Sequence, residues 1–172
     1  MKTFQCQLNV GVEEFLTSGN AVRFEKSDIS RTYLFIRSSS HGEFPEILAY
    51  FSLSFKELDL KNTELSKTKI KKMDGMKNDA EKIIAYLIGQ IGKNSAISHN
   101  PINLKIILSE IYSVIAQVKE LIGGRIIILD CEEPLIHLYN SHGFESIKIN
   151  EDNSPKKSEK LHTMFTFIKP TF

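Results

Sequence analysis

The stretch that decides the fold is Gly123-Gly124-Arg125-Ile126-Ile127-Ile128-Leu129-Asp130-Cys131-Glu132-Glu133-Pro134-Leu135-Ile136-His137-Leu138-Tyr139-Asn140-Ser141-His142-Gly143-Phe144. Arg125–Leu129 is a short apolar run after a double-glycine stop, the pattern of a buried strand. Pro134 opens a helix predicted over 134–142, because proline sets φ for a first helical turn and lacks an N–H that would go unpaired there. Glu132 and Glu133 suit the positive end of that helix, and Gly143 suits its C-terminus. Phe144–Ile149 then reads as another strand.

Upstream, Leu104, Ile107, Leu108, Ile111, Val114, Ile115, Val118 and Ile122 recur at i, i+3, i+4 and i+7 spacing, which predicts an amphipathic helix over about 102–122. Asn100-Pro101 is read as its N-cap and first residue, and Gly123-Gly124 as its end. Before it, Ile83–Ile91 predicts a central strand, with Gly89 and Gly92 favouring a bulge or close backbone approach near its end. Arg31–Arg37 and Ile47–Phe55 are rich in aromatic and β-branched residues and predict an antiparallel hairpin across the Ser38–Gly42 turn. Residues 3–10 alternate loosely and are read as an edge strand, Val12–Thr17 as one or two helical turns, and Ser27-Asp28 as a cap or turn. Residues 56–80 carry lysines and acids with little apolar periodicity, so an irregular connection with a short helix is expected. Asn150–Lys160 reads as a polar turn and His162–Lys169 as the last strand. Two central strands joined through the long helix form a parallel crossover. The sum is an α/β protein, a single domain over residues 1–172 whose mixed central sheet is flanked by helices.

Composition narrows the function classes. With 41% hydrophobic and 25% charged residues the chain can bury a core, as ordinary globular proteins do. A formal charge of +1 gives no general attraction to nucleic acid or membranes. No apolar run approaches the roughly 18 residues of a membrane span, and the N-terminus has no h-region of a signal peptide. Cys6 and Cys131 form no C-x-x-C pair and are read as free thiols of a reducing compartment. The expected location is cytoplasmic.

The order of elements over roughly 31–170 resembles the GNAT acetyltransferase superfamily. Tyr86-Leu87-Ile88-Gly89-Gln90-Ile91-Gly92-Lys93-Asn94 is similar to the strand that precedes the long helix in bacterial GNAT proteins, toxin-type members included. The resemblance implies a GNAT-like fold and acetyl-coenzyme A as co-substrate. It implies that Ile91, Gly92, Lys93, Asn94, Ser98, His99 and Asn100 bind the coenzyme, its pyrophosphate lying at the N-terminus of the long helix. It implies that the backbone N–H of Ile91 stabilises the oxyanion and that Tyr139 is catalytic, donating a proton to the departing thiolate. Family members carry an Arg/Gln-x-x-Gly-x-Gly/Ala turn before the helix, whereas Ser95–Asn103 has no glycine, and asparagine tolerates the left-handed region in its place. Glu132 stands where the family often has asparagine.

The activity so implied is transfer of acetyl to a primary amine acceptor. One alternative is a non-catalytic GNAT-fold module that binds a protein partner, favoured by the missing glycines. The other is a toxin-type acetyltransferase acting on aminoacyl-tRNA, and nucleic acid enters only if the acceptor is tRNA. A homodimer is left open, and no membrane partner is expected. Ser66–Lys72 holds four lysines, read as a solvated loop or as a contact to RNA phosphates. The histidines, at 41, 99, 137, 142 and 162, complete no zinc-ligand set, so no metal is expected. Glu81, Asp130 and Glu133 are the acids near the expected site, and none is singled out as a general base.

Overall fold

In a computed structural model the described residues are 4–38, 45–148 and 161–168. Among these residues five helices and six strands follow in the order α1 (Val10–Thr17), α2 (Asn20–Lys26), β1 (Arg31–Arg37), β2 (Glu46–Asp59), α3 (Lys67–Asp74), β3 (Lys82–Lys93), α4 (Leu104–Ile122), β4 (Ile126–Cys131), a 3-10 turn (Glu133–Leu135), α5 (Ile136–Asn140), β5 (Glu145–Ser146) and β6 (His162–Phe167). The strands form a mixed sheet in the order β1-β2-β3-β4-β6-β5. Its chain contacts cluster into two units, Met1–Ser54 with Ile88–Val114 and Phe55–Leu87 with Ile115–Phe172.

In the first unit β1 and β2 pair antiparallel, Arg31 opposite Leu53 and Arg37 opposite Glu46, as the hairpin reading expects. The register slips between Phe35 and Ile36, which face Ala49 and Ile47, so Leu48 is an extra residue on β2. Asn9 caps α1, its side chain accepting from the Val12 N–H at 3.1 Å. Phe4, Phe15, Ala21, Ile47 and Tyr50 make the core. Tyr50 is completely buried, stacked on Phe15 and met edge-on by Phe4 at 5.3 Å, and its hydroxyl donates to the Val12 carbonyl.

The edge strand expected over 3–10 does not form in its described residues, 4–10. Its described part is irregular and turn up to Asn9, with Phe4 buried and the Ser95 N–H donating to the Gln5 carbonyl at 2.9 Å. Its backbone bonds to the loop after β3, and the loose alternation followed burial of one aromatic. The long helix also starts later than Asn100-Pro101 suggests. Asn103 caps it, the Ile106 N–H donating to its side chain at 3.0 Å, because the Asn100 amide is committed inside the loop. Ile107, Leu108, Ile111 and Ile115 are buried as their spacing predicts, but Ile122, at 63% exposure, is not.

In the second unit Leu58, Leu60, Met73, Ile83, Ala85, Ile126, Ile128, Ile147 and Phe165 form the core. The stretch 56–80 is more regular than its composition suggested. β2 runs on to Asp59 with Leu58 inward, and α3 follows, capped by Ser66 and ended by Gly75 at φ 97°. Two apolar residues one turn apart, Ile70 and Met73, anchor α3 to the core, too few to read as periodicity. β4 and β6 pair antiparallel from Ile126 opposite Phe167 to Cys131 opposite His162. β5 is two residues long, shorter than the strand expected over 144–149, because the Phe144 N–H closes α5 on the Tyr139 carbonyl instead. The polar turn 150–160 and residue 169 lie outside the described residues. No helix of the described residues is long and apolar enough to cross a membrane.

Candidate functional site

The predicted coenzyme-binding residues belong to the first unit and Tyr139 to the second. In the first unit the loop after β3 is built on two asparagines. Asn94 is 2% exposed, and every polar group of it is occupied. Its N–H donates to the Leu48 carbonyl (2.8 Å), its amide NH2 to the Ile47 carbonyl (2.9 Å), and its Oδ1 accepts from Gln5 and Ala96 (3.2 and 3.0 Å). Asn100 donates to the carbonyls of Leu48 and Asn94 and accepts from the Ile102 N–H. Leu48 is the extra residue of the β2 bulge, so its carbonyl takes the loop's donors. These two amides fold the loop, and their side chains are directed inward.

What remains outward is Lys93, Ser98 and His99, all exposed. Lys93 Nζ lies 3.2 Å from the Asn100 carbonyl, which holds its charge over the loop. His99 has φ 53°. A left-handed residue therefore does exist in this glycine-free loop, and histidine is one of the side chains that adopts it most readily. His99 thus gives this loop a left-handed position without a glycine. Ile91 is half-buried at the end of β3. Gly92 faces the core: a Cβ there would lie 2.6 Å from Tyr50 Cε1, 2.7 Å from Val12 Cγ1 and 3.0 Å from Phe4 Cζ.

In the second unit, Tyr139 sits in the second turn after β4, fixed by the Pro134 3-10 turn and α5. Phe144 meets its ring edge-on at 5.8 Å. The ring is half-buried, and among the described residues its hydroxyl has no hydrogen-bond partner. Burial pushes the phenol up to about 12, with the neighbouring Cys131 thiol adding to the effect. The phenol is thus fully protonated at neutral pH and open to an incoming acceptor. Cys131, buried at the end of β4 beside Met164, is itself raised, by burial first and then by Asp130 and Glu132, so it stays a thiol and a poor nucleophile. No local sequence signal announces this thiol–phenol proximity; it follows from how α5 folds back on β4.

Asp130 is engaged on both oxygens, by Lys56 at 2.7 Å and Thr163 at 2.6 Å, and Glu81 pairs with Lys61 at 2.9 Å. Neither carboxylate is an unoccupied base. Among the described residues of this unit, a cleft of about 300 Å3 is lined by Glu64, Leu65, Ser66, Lys69, Ser146 and Lys148, and another of about 210 Å3 opens beside Phe55, Tyr86 and Gly124. Neither is lined by a predicted site residue. Among the described residues no three His, Cys, Asp or Glu side chains converge as metal ligands.

Neither a protein-family model nor a curated protein matches the sequence. Solved structures do. A tyrosine-to-phenylalanine variant of KacT superposes with TM-score 0.74 at 15% identity, over 97% of this chain and 86% of that one. AtaT complexed with acetyl-methionyl-tRNAfMet gives 0.70 at 18% identity, over 95% and 85%. AtaTR bound with acetyl-coenzyme A gives 0.66 at 18% identity, over 96% and 84%. At these identities the likeness is one of fold, and it covers nearly the whole of each chain. The chain has a GNAT-like fold, shared with KacT and with the toxin AtaT.

Proposed function

We propose that this chain is an acetyl-coenzyme A-dependent N-acetyltransferase whose acceptor is the α-amino group of an aminoacyl-tRNA. The observation that carries the reading is Tyr139, a half-buried, protonated phenol whose hydroxyl has no hydrogen-bond partner among the described residues, on a fold shared with AtaT, which has been seen with acetyl-coenzyme A and with acetyl-methionyl-tRNA. Tyrosine-to-phenylalanine variants of both KacT and AtaT have been solved, which supports looking for the acid at a tyrosine. The acceptor class rests on AtaT alone.

The chemistry follows from the groups present. A neutral amine attacks the thioester carbonyl and forms the new C–N bond, while the amine's proton leaves to water. The oxyanion of the tetrahedral intermediate is stabilised by the Ile91 N–H, as in other acyl transfers that use backbone donors. As the C–S bond breaks, the Tyr139 hydroxyl protonates the sulfur and is itself reprotonated from solvent. Lys93 and the exposed backbone of Ser98 and His99 bind the pyrophosphate near the N-terminus of α4. Asn94 and Asn100 serve the coenzyme indirectly, by shaping that loop. Cys131 forms no acyl-enzyme, since its thiol is held protonated.

Thermal melting against acetyl-coenzyme A tests the binding half. A ligand at 100 times its Kd stabilises the folded state by about 2.7 kcal/mol, a shift of several degrees. No shift at millimolar coenzyme would remove the enzyme reading and favour the non-catalytic module, to which the glycine-free loop points. Single-turnover transfer from labelled acetyl-coenzyme A to aminoacyl-tRNA, against the same amino acid free, tests the acceptor.

A further inference from the structure

We infer that the outer face of α3, with the turn after it, is a phosphate-binding surface that holds the RNA part of the acceptor. This rests on the aminoacyl-tRNA reading above. α3 turns Ile70 and Met73 into the core, which leaves Lys67, Lys71 and Lys72 on its outside. Lys67 and Lys71 are one helical turn apart, and among the described residues neither has an acidic partner. Lys72 is held with its ammonium 4.2 Å from the Phe167 ring centroid, a cation-π contact that limits its motion. Beyond the helix, Lys77 is exposed, and the exposed Arg125 guanidinium packs against the Cα of Gly75. Among the described residues five cations thus meet two acids here, Asp74 and Asp79. After the backbone N–H groups of Lys77 and Met76, the nearby charges of Lys77 and Arg125 help hold the Asp74 carboxyl below the ordinary range.

The nearby acids have other work. Asp74 accepts the N–H groups of Met76 and Lys77 at 3.0 and 2.7 Å and so builds the turn. Glu145 is bonded by Lys69, Glu81 by Lys61 and Glu57 by Lys82. Glu64 lies apart from the outer face, in the cleft with Lys69 and Lys148. The apolar residues of α3, buried Met73 and partly buried Ile70, are packed against the core, so this helix has no free apolar face to insert into a bilayer. Among the described residues no exposed aromatic accompanies the lysines, so the contact argued for is to backbone phosphate, independent of sequence.

The test is fluorescence anisotropy of labelled uncharged tRNA with the full chain, between 50 and 200 mM KCl. Two lost phosphate contacts lower the slope of log K against log salt by about 1.4 to 1.8. Lys67→Gln/Lys71→Gln should therefore show that smaller slope and bind roughly 30-fold more weakly at 0.1 M salt. Its melting shift with acetyl-coenzyme A should match the parent, which shows that it is folded. Parental RNA affinity and slope in the double variant would overturn the α3 surface and leave the tRNA acceptor standing. Absence of tRNA binding in the parent chain would overturn the acceptor reading itself, and the surface with it. Lysine-dependent binding to phosphatidylserine vesicles without tRNA binding would also overturn the proposal, in favour of a membrane contact.

Discussion

Gly92→Ala separates a packing role from a ligand role at a residue that the GNAT resemblance assigns to the coenzyme. The added methyl would stand 2.6 Å from Tyr50 Cε1 and 2.7 Å from Val12 Cγ1, against about 3.5 to 4.0 Å for carbon atoms in contact. Roughly 1 Å of movement is needed in two directions. Tyr50 cannot give easily: it is fully buried, sandwiched by Phe4 and Phe15, and tied by its hydroxyl to the Val12 carbonyl. Over-packing of this kind destabilises by about 1 to 3 kcal/mol, and the rigid surroundings argue for the upper end. With a urea slope of about 2 kcal/mol/M, the midpoint should fall by about 1 to 1.5 M at unchanged slope. Val12→Ala removes one of the two clashing carbons, so the double variant should be less destabilised than the two single effects added. An unchanged midpoint, together with weaker acetyl-coenzyme A binding in the melting assay, would refute the reasoning and place the glycine's open side toward the ligand.

Tyr139→Phe should lower the single-turnover rate by about a hundredfold or more, the usual worth of a positioned general acid, with the coenzyme-induced melting shift unchanged; an equal rate would remove the proton-donor role. The same phenol makes stability depend on alkaline pH. Its folded value of about 12 lies above the ordinary 10, so the folded state holds the proton longer, and the stabilisation present below pH 10 is lost as pH rises toward 12. By pH 11 that loss is about 1.4 kcal/mol from Tyr139, and because the buried Tyr50 phenol is raised as well, denaturant titrations at pH 9 and 11 should show a drop in both proteins that is smaller by about this amount in Tyr139→Phe. Asn94→Ala strands the Gln5 and Ala96 N–H groups and the Ile47 carbonyl, and should cost about 2 to 4 kcal/mol; a loss below 1 kcal/mol in urea titration would mean that water replaces the amide. His99→Val should destabilise by about 1 to 2 kcal/mol because a β-branched residue resists positive φ, whereas His99→Gly should stay within about 1 kcal/mol of the parent. Equal midpoints for the two would show that residue 99 does not need the left-handed region.

How far the site could be read from sequence differs between its two parts. Tyr139 was accessible because everything that places it is local: the apolar run of β4, Pro134 at the turn, and Gly143-Phe144 at the stop. The loop proposed to hold the coenzyme is legible only as a position. The GNAT resemblance points to seven ligand residues, but Asn94 and Asn100 direct their amides to carbonyls of β2, about fifty residues earlier in the chain. Such long-range bonds leave no mark in the local pattern. The helix start moved to Asn103 for the same reason, since Asn100 had a tertiary partner that a capping rule does not see. α3 was under-read because two apolar residues suffice to dock eight when the rest of the core is supplied by strands.

The sequence by itself determined the element types and their order wherever short-range signals agree: the hairpin, the central strand, the amphipathic α4 and the β4–α5 turn. Periodicity, β-branching and the proline and glycine positions are properties of neighbouring residues, and they dictate local backbone directly. Tertiary structure alone decided which polar groups are left for chemistry. It buried Asn94, turned Gly92 toward Tyr50, put His99 in the left-handed region, occupied Asp130 with Lys56 and Thr163, and left the Tyr139 hydroxyl open. Those outcomes depend on which distant carbonyl, ring or ammonium arrives within about 3 to 4 Å, the distance at which hydrogen bonds and packing act.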